Sequence, residues 1–256
     1  MEIRGSRIMV TGASGGLGQA ITRALARRGA RLVVTARREA QLEALAAETG
    51  AEVIVADLAD RDDVLRLEEM VEDLDVLVAN AGVGADRRVD AMTDDDIDFS
   101  IDVNLRAPMK LSARFARSHL AADRAGQIVM IGSLSGLAAT PETRLYNGTK
   151  FGLRGYSLSL RQDLEDRKIG VTHILPGFIR DAGMFAEGDI DLPKGVRTKT
   201  PQDVANGVIK AIESNPGEIY VSPIELKLSS KFATVAPNLS ARIQKKLGVA
   251  DRAASD

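Results

Sequence analysis

The chain has 256 residues, of which 45% are hydrophobic and 27% are charged, and its formal net charge is -2. These values fit one soluble α/β domain and give no positive field that would attract nucleic acid. The sequence contains no cysteine, which excludes disulfides, thiol nucleophiles and cysteine-bound metals and makes a reducing cytoplasm the expected location. We expect neither a signal peptide nor a transmembrane helix, because no apolar run is long enough.

Short apolar runs alternate with amphipathic segments along the chain. The runs predict strands at 7–10, 31–35, 52–56, 75–79, 127–131, 171–174 and 218–221. The first helical stripe, from Leu17 to Leu25, ends near Gly29, which is typical of a helix C-terminus. This alternation predicts a single α/β domain of the Rossmann type, a doubly wound parallel sheet with helices on both faces.

The glycine-rich turn TGASGGLG, residues 11–18, directly follows the first predicted strand. A phosphate needs exposed backbone N–H groups and the N-terminus of a helix. Gly12, Gly16 and Gly18 provide a tight turn, close approach and close helix–strand packing. The turn therefore predicts a dinucleotide site, the alternative being an ordinary connection between a strand and a helix.

The second predicted strand runs into Ala36, Arg37 and Arg38. An NAD site would carry an acidic residue in this region to bind the ribose 2′-hydroxyl. Arginine instead offers a planar, charged fork for a 2′-phosphate. The pattern predicts a preference for NADP(H) over NAD(H), unless the two arginines only begin a solvated helix.

Tyr146 and Lys150 are four residues apart, so on a helix they share one face. A nearby ammonium favours the phenolate, and we expect it to lower the pKa of Tyr146 toward neutrality. Ser133 follows the fifth predicted strand and lies 13 residues before Tyr146. The three residues together indicate acid–base chemistry on a substrate oxygen.

Over nearly its whole length the sequence resembles the short-chain dehydrogenase/reductase family. The resemblance rests on the glycine turn, Asp57-Leu58, Asn80-Ala81-Gly82, Asn104, Ser133, the Tyr146–Lys150 pair and Pro176-Gly177. It implies a seven-stranded parallel sheet in the order 3-2-1-4-5-6-7 and an NADP(H)-dependent oxidoreductase that interconverts a carbonyl and an alcohol.

The resemblance also implies a catalytic tetrad of Asn104, Ser133, Tyr146 and Lys150. Tyr146 would exchange the proton with the substrate oxygen, Ser133 would hold that oxygen, Lys150 would bind the nicotinamide ribose, and Asn104 would position a water. The implied cofactor contacts are Gly12, Ser14, Gly15, Gly16, Leu17, Gly18, Arg37, Arg38, Asp57, Leu58, Asn80, Ala81, Gly82, Tyr146, Lys150, Pro176, Gly177 and Ile179.

The sequence departs from the family pattern after Pro176-Gly177. Asp181 stands where the family usually has a threonine, which puts the cofactor contacts at 178–184 in doubt. The candidate substrate-lining stretches, 134–145 and 178–200, favour an apolar carbonyl compound. Their apolar residues are Leu134, Leu137, Ala138, Leu145, Phe178, Met184 and Phe185.

Other patterns point to structural roles. His119 and His173 have no second ligand at metal spacing, and Thr93 followed by three acids is typical of a helix N-terminus, so no metal site is expected. The sequence lacks the Gly-x-Ser-x-Gly motif of a serine hydrolase, so hydrolase activity is not expected. A catalytically silent NADP(H)-binding sensor stays as the alternative to an enzyme.

We expect a homo-oligomer, a dimer or tetramer, because the family commonly pairs the helices that correspond to 105–122 and 142–168. Residues 1–225 form the predicted NADP(H)-binding catalytic domain. Residues 226–256 form an extension expected to pack on it, with the last residues disordered.

The extension has five basic and no acidic residues between 226 and 250. Pro237 and Gly248 would bound a helix with Leu239, Ile243 and Leu247 on one face. Such a helix can lie on an anionic membrane. We expect packing on the protein instead, because this face is small and has no Trp or Phe.

Overall fold

The computed structural model describes residues 1–84, 88–181 and 197–246. Its sheet has seven strands in the order β3-β2-β1-β4-β5-β6-β7, and every neighbouring pair is parallel. Both the predicted sheet and the strand order implied by the resemblance are confirmed. The strands are β1 Arg7–Thr11, β2 Arg31–Ala36, β3 Glu52–Val55, β4 Val76–Ala79, β5 Gly126–Ile131, β6 Ile169–Pro176 and β7 Glu218–Val221.

Helices cover both faces of the sheet and enclose two hydrophobic cores. One core contains apolar side chains of α1, α2 and α7, and the other contains those of α3, α5 and α6. The doubly wound fold class is therefore confirmed. The helices are α1 Gly16–Ala26, α2 Glu39–Thr49, α3 Arg61–Met70, α4 Asp94–Ile101, α5 Ala107–Ala121, α6 Arg144–Asp163, α7 Pro201–Ser214, α8 Ile224–Val235 and α9 Pro237–Lys246.

Local sequence signals set the helix starts. Thr93 forms a capping box with Asp96 at α4, and Thr200 forms one with Asp203 at α7, whose first residue is Pro201. In each box the threonine hydroxyl accepts the Asp N–H while the carboxylate accepts the threonine N–H. The capping interpretation of the acidic run after Thr93 is confirmed.

The sheet order reverses between β1 and β4, which are neighbours in space. In open parallel sheets, ligands bind at such a point, outside the carboxyl ends of the strands. The turn after β1 and the loops after β4, β5 and β6 meet at this edge. The topology thus brings the glycine turn, Asn80, Ser133 and Pro176 to one end of the molecule.

The extension beyond β7 contains α8 and α9. Ser230 and Ala233 are buried, the Thr234 hydroxyl donates to the Leu137 carbonyl at 3.2 Å, and Gln244 Nε2 donates to that of Ala139 at 3.4 Å. These contacts leave six large apolar side chains exposed: Ile224, Leu228, Phe232, Val235, Leu239 and Ile243.

The apolar surface of the extension is therefore larger than the sequence suggested, and it includes a Phe. Leu247, Gly248 and the last residues lie outside the described part of the chain. Across residues 1–84, 88–181 and 197–246, no helix is long and apolar enough to cross a membrane.

Two leucines of α3 test how burial stabilises the fold. Leu67 is fully buried, whereas Leu65 is 50% exposed. We expect Leu67→Ala to lower the free energy of unfolding by about 2–5 kcal/mol, because apolar contacts are lost and a cavity is left. Leu65→Ala, the same substitution in the same helix, should change it by less than about 0.5 kcal/mol. Urea denaturation measures both, and equal losses would contradict the assignment of the core.

Candidate active site

In the turn between β1 and α1, glycines stand at positions where neighbouring backbone segments approach closely. Gly12 has φ +66°, and a Cβ there would lie 2.7 Å from Ala81 Cα. A Cβ on Gly18 would lie 2.3 Å from the Gly12 carbonyl oxygen. Gly15 precedes α1 without a side-chain cap, so the N–H groups of the first helical turn, which includes Gly16 and Leu17, face outward for an anion.

Two consecutive arginines follow β2, and one of them contacts this turn. Arg38 donates from Nε to Ser14 Oγ at 3.2 Å and from Nη2 to the Ser14 carbonyl oxygen at 3.0 Å. Arg37 Nη1 lies 3.7 Å from Asp57 Oδ2, and its guanidinium lies 5.7 Å from the Phe99 ring centroid. Arg38 is therefore bonded to the glycine turn, and Arg37 lies beside Asp57.

The loop after β4 is tied to the glycine turn. Thr11 Oγ1 accepts from the N–H groups of Asn80 and Ala81, both at 3.0 Å, and Asn80 Nδ2 donates to the Thr11 carbonyl at 2.8 Å. Asn80 Oδ1 is buried and has no hydrogen-bond partner among the described residues. A buried, unused acceptor at this edge, beside an uncapped helix N-terminus, fits a dinucleotide with its own donors.

Asn104 lies in a π-helical turn, Asp102–Arg106, between α4 and α5. Its Oδ1 accepts from the Val83 N–H at 2.8 Å, and its Nδ2 donates to the Val83 carbonyl at 2.8 Å and to Thr149 Oγ1 at 3.2 Å. The side chain thus ties the loop after β4 to α6. These contacts make Asn104 a positioning residue; the water expected from the resemblance stays a prediction.

Ser133 and Tyr146 are brought together between the end of β5 and α6, and their hydroxyl groups are hydrogen-bonded. Burial raises the pKa of Tyr146, and the hydrogen bond with Ser133 opposes that shift. We expected Lys150 to lower this pKa. That expectation was wrong for the protein without a bound cofactor, because burial raises the pKa instead. The phenol is therefore protonated at neutral pH.

Lys150 lies below Tyr146 on the buried face of α6 and is only 3% exposed. Its Nζ donates to the Ile131 carbonyl at 3.0 Å and lies 5.6 Å from the Tyr146 ring centroid. Burial lowers the pKa of Lys150 to about 8. Gly82 also approaches this group, since a Cβ there would lie 3.4 Å from Nζ.

His173 also belongs to the surroundings of this site, which no sequence motif indicated. Its ring packs against Gly132, where a Cβ would lie 2.1 Å from His173 Nε2, and its Nδ1 lies 3.0 Å from Ser157 Oγ. Burial, with help from the Lys150 and Arg154 cations, lowers the pKa of His173 to about 3. His173 is thus a neutral residue supporting the backbone just before Ser133. The signal available in the sequence for this role was a histidine within the largely apolar strand β6.

The remaining expected contacts differ in placement. Pro176 ends β6, and a Cβ on Gly177 would lie 3.0 Å from Ser222 Cβ. Ile179 is 4% exposed and Leu58 is 8% exposed, so both belong mainly to the hydrophobic cores. Asp181 adopts φ +68°; residues 182–184, with Met184, and also Phe185 lie outside the described chain.

The described residues include no cluster of three His, Cys, Asp or Glu side chains that could hold a metal ion. His119 instead stacks on Phe115 at 3.8 Å between ring centroids. Its Nδ1 lies 2.9 Å from the Phe115 carbonyl oxygen. Both histidines therefore have structural surroundings.

Comparisons with known proteins agree with this geometry. The family model described as short chain dehydrogenase matches residues 6–191. The chain is 38% identical over 187 residues to nodulation protein G of Rhizobium sp. (strain N33), covering 71% of this chain and 76% of that protein. It is 32% identical over 217 residues to a 3-oxoacyl-acyl-carrier-protein reductase of Rickettsia bellii, covering 81% and 89%.

The structural comparison gives a matching result. A short-chain dehydrogenase from Sphingobium yanoikuyae in complex with NADPH superposes with a TM-score of 0.77 at 27% identity. The superposition covers 84% of this chain and 87% of that one. The similarity therefore extends over most of both chains.

The buried ammonium gives a stability prediction. The pKa of Lys150 is lower in the folded protein than in the unfolded chain. At every pH at which Lys150 is charged in the folded state, this charge therefore destabilises the fold. We expect Lys150→Met to raise the free energy of unfolding at pH 7 by about 1–3 kcal/mol. The gain should shrink as pH rises from about 8 to about 10.5, because wild-type Lys150 then loses its proton in the folded state.

Thermal melts across this pH range measure the effect. Lys210→Met, at an exposed lysine of α7, is the matched control and should leave stability nearly unchanged. A destabilised Lys150→Met protein at pH 7 would contradict the prediction.

Proposed function

Because this chain belongs to the short-chain dehydrogenase/reductase family, oxidoreductases that act on CH–OH groups with NAD(P), we propose that it uses NADP(H) and that Tyr146 exchanges the proton with the substrate oxygen. The observation that carries the proposal is the Ser133–Tyr146 hydrogen bond with Lys150 buried beneath it. The hydroxyl groups of Ser133 and Tyr146 and the ammonium group of Lys150 are thus close enough to take part in one proton transfer.

The raised pKa of Tyr146 keeps the phenol protonated at neutral pH, so the group holds the proton that the reduction needs. A protonated phenol at neutral pH can donate to the oxygen of a carbonyl as it becomes an alcohol. When substrate is present, the Ser133 hydroxyl can turn from the phenol, donate to the same oxygen and hold it in place. We therefore propose that Tyr146 is the proton donor when the carbonyl is reduced.

The cofactor, when bound, donates or accepts the hydride at its nicotinamide. We propose that residues of the glycine turn, Gly12 to Gly18, hold the pyrophosphate and that Asn80, Ala81 and Gly82 lie along the cofactor. Lys150 would bind the nicotinamide ribose through Nζ. Asn104 would keep the loop after β4 in register with α6 through its three hydrogen bonds.

We assign the 2′-phosphate to Arg37 and Arg38. Arg38 already contacts the turn through Ser14, and Arg37 lies beside Asp57, at the edge where the second strand ends. No acidic residue occupies positions 36–38. The NADPH complex of the Sphingobium relative supports the same cofactor class.

For the substrate we propose an apolar carbonyl compound. Among the described residues, Leu134 and Leu137 follow Ser133, Leu145 precedes Tyr146, and Phe178 is 37% exposed. A 3-oxoacyl group is a carbonyl compound with an apolar chain, and the name of the Rickettsia relative gives 3-oxoacyl-acyl-carrier-protein as its substrate. Oxidation of NADPH in the presence of candidate ketones and thioesters identifies the substrate.

We further propose that residues 1–225 form the catalytic domain, with the extension packed on it, and that the protein is cytoplasmic. We also propose a dimer or tetramer. Ile101 and Phe151, on α4 and α6, are 40% and 42% exposed. Apolar side chains in these positions would be covered by a second copy.

The cofactor assignment predicts a selective loss of affinity. We expect Arg37→Ala to weaken NADPH binding by about 10–100-fold, since one charge-assisted contact contributes roughly 1.5–3 kcal/mol. NADH binding should barely change. Arg38→Ala should weaken both, because Arg38 also holds the turn through Ser14.

Fluorescence titration with both nucleotides measures these effects. Arg28→Ala, at a surface pair with Glu213, is the control. If Arg37→Ala binds NADPH like the wild type, the assignment to Arg37 is wrong.

The proton-transfer role predicts a separate loss of turnover. We expect Tyr146→Phe to lower kcat by about 10²–10⁴-fold while NADP(H) affinity stays nearly intact. The control is Tyr156→Phe, because Tyr156 lies on the same helix but its hydroxyl donates to the Met109 carbonyl at 3.2 Å, away from the site. Retention of more than about a tenth of the activity by Tyr146→Phe would refute the role.

A further inference from the structure

The extension carries a concentrated apolar surface. Ile224, Leu228, Phe232 and Val235 recur at intervals of four, four and three, so they share one face of α8. Their exposed fractions are 58%, 60%, 43% and 85%. Leu239 and Ile243 share a face of α9 and are 49% and 44% exposed. We call these six residues the apolar stripe.

The flanks of the stripe are mainly basic, and the one acid of α8, Glu225, is ion-paired with Arg197. Residues 226–246 contain five basic and no acidic residues, although the whole chain has a net charge of -2. Lys227 and Lys231 belong to α8, and their ammonium groups lie 4.7 Å and 5.1 Å from the Tyr220 ring centroid. Arg242 and Lys245 are exposed on α9. A partner for this surface must be apolar at its centre and negative around it.

We propose that α8 and α9 bind the surface of an anionic lipid membrane, with the apolar stripe inserted among the lipid headgroups and acyl chains. Helices of this kind lie in the membrane plane, with basic residues at the phosphates and Phe and Leu below them. Neither feature suffices alone, but an apolar face together with a basic flank supplies two signals. The proposal reverses our expectation from the sequence, which rested on the terminal helix alone and missed Phe232 and its neighbours.

A second copy of the chain fits this surface less well. In a twofold contact the same patch meets itself, which would bring the basic residues of both copies together. The helices are also held on the protein side by Ser230, Ala233 and Thr234, so the stripe can face a membrane while α8 stays packed. This proposal is independent of the catalytic assignments.

The test is sedimentation of the full-length protein with phosphatidylcholine vesicles, with and without phosphatidylglycerol, at about 0.15 M salt. We expect binding to the anionic vesicles and little to the neutral ones. Leu228→Ser/Phe232→Ser should weaken binding by about tenfold or more because apolar insertion is lost. Arg242→Glu/Lys245→Glu should do so as well, because attraction becomes repulsion, and about 0.5 M salt should weaken wild-type binding.

Matched variants separate this surface from general stickiness. Leu65→Ser/Leu120→Ser changes two exposed leucines elsewhere, and Arg117→Glu/Arg167→Glu changes two exposed arginines elsewhere. Both should bind like the wild type. Circular dichroism melts and NADPH titration establish that each variant is folded.

Three results would overturn the proposal. One is no sedimentation with anionic vesicles. Another is equal binding by the stripe variants and the wild type. The third is a molar mass, measured by light scattering, that falls when Leu228 and Phe232 become serine while vesicle binding is absent, since a second copy would then be what covers the stripe.

Discussion

The site depends on one buried positive charge. Lys150 is 3% exposed, has no carboxylate in an ion pair among the described residues, and is held by the carbonyl oxygen of Ile131. An ammonium placed in this way costs folding free energy, which its lowered pKa reflects. The surrounding strands and helices must therefore supply the stability that keeps it there, and the charge is retained at the layer where Tyr146 and Ser133 meet.

The neighbours of Lys150 follow from that position. Its partner carbonyl, Ile131, precedes Gly132, whose N–H donates to Ile174 at 2.8 Å. On the other side of Gly132 lies His173, whose Nδ1 hydrogen-bonds with Ser157. Ser157 donates its own proton to the Leu153 carbonyl at 2.7 Å, so Nδ1 must be the donor and Nε2 carries no proton.

A neutral imidazole is what this location requires, because a second positive charge beside Lys150 would raise the cost of both. The lowered pKa of His173 has that origin in part. Gly132 is then confined between the imidazole and the Ile131 carbonyl that Lys150 binds. These contacts therefore also fix the position of Ser133, the next residue.

The parts of the molecule that backbone geometry determines could be predicted from the sequence. Strand periodicity and the glycine turn gave the sheet and its ligand-binding edge, because Gly12 and Gly18 are positions where a Cβ would clash. The Thr93 cap followed from its acidic neighbours. The pKa direction of Tyr146 could not be predicted, since it depends on how deeply the phenol is buried, and no local pattern reports burial. The motif positions of Leu58 and Ile179 likewise do not report that their side chains lie in the cores, and their cofactor contacts stay predictions.

In the extension, too, the sequence pattern did not report which side chains are buried and which are exposed. The sequence pattern indicated an apolar face on the terminal helix alone, formed by Leu239, Ile243 and Leu247. The structure adds four from α8, because Ser230 and Ala233, not the larger side chains, face the protein. Thr234 and Gln244 then fix the extension against the carbonyls of Leu137 and Ala139, in the segment that begins at Ser133. The surface that would meet a membrane is thus joined to the segment that follows Ser133. An apolar carbonyl compound dissolved in that membrane would reach the protein on the side where we propose its oxygen is held.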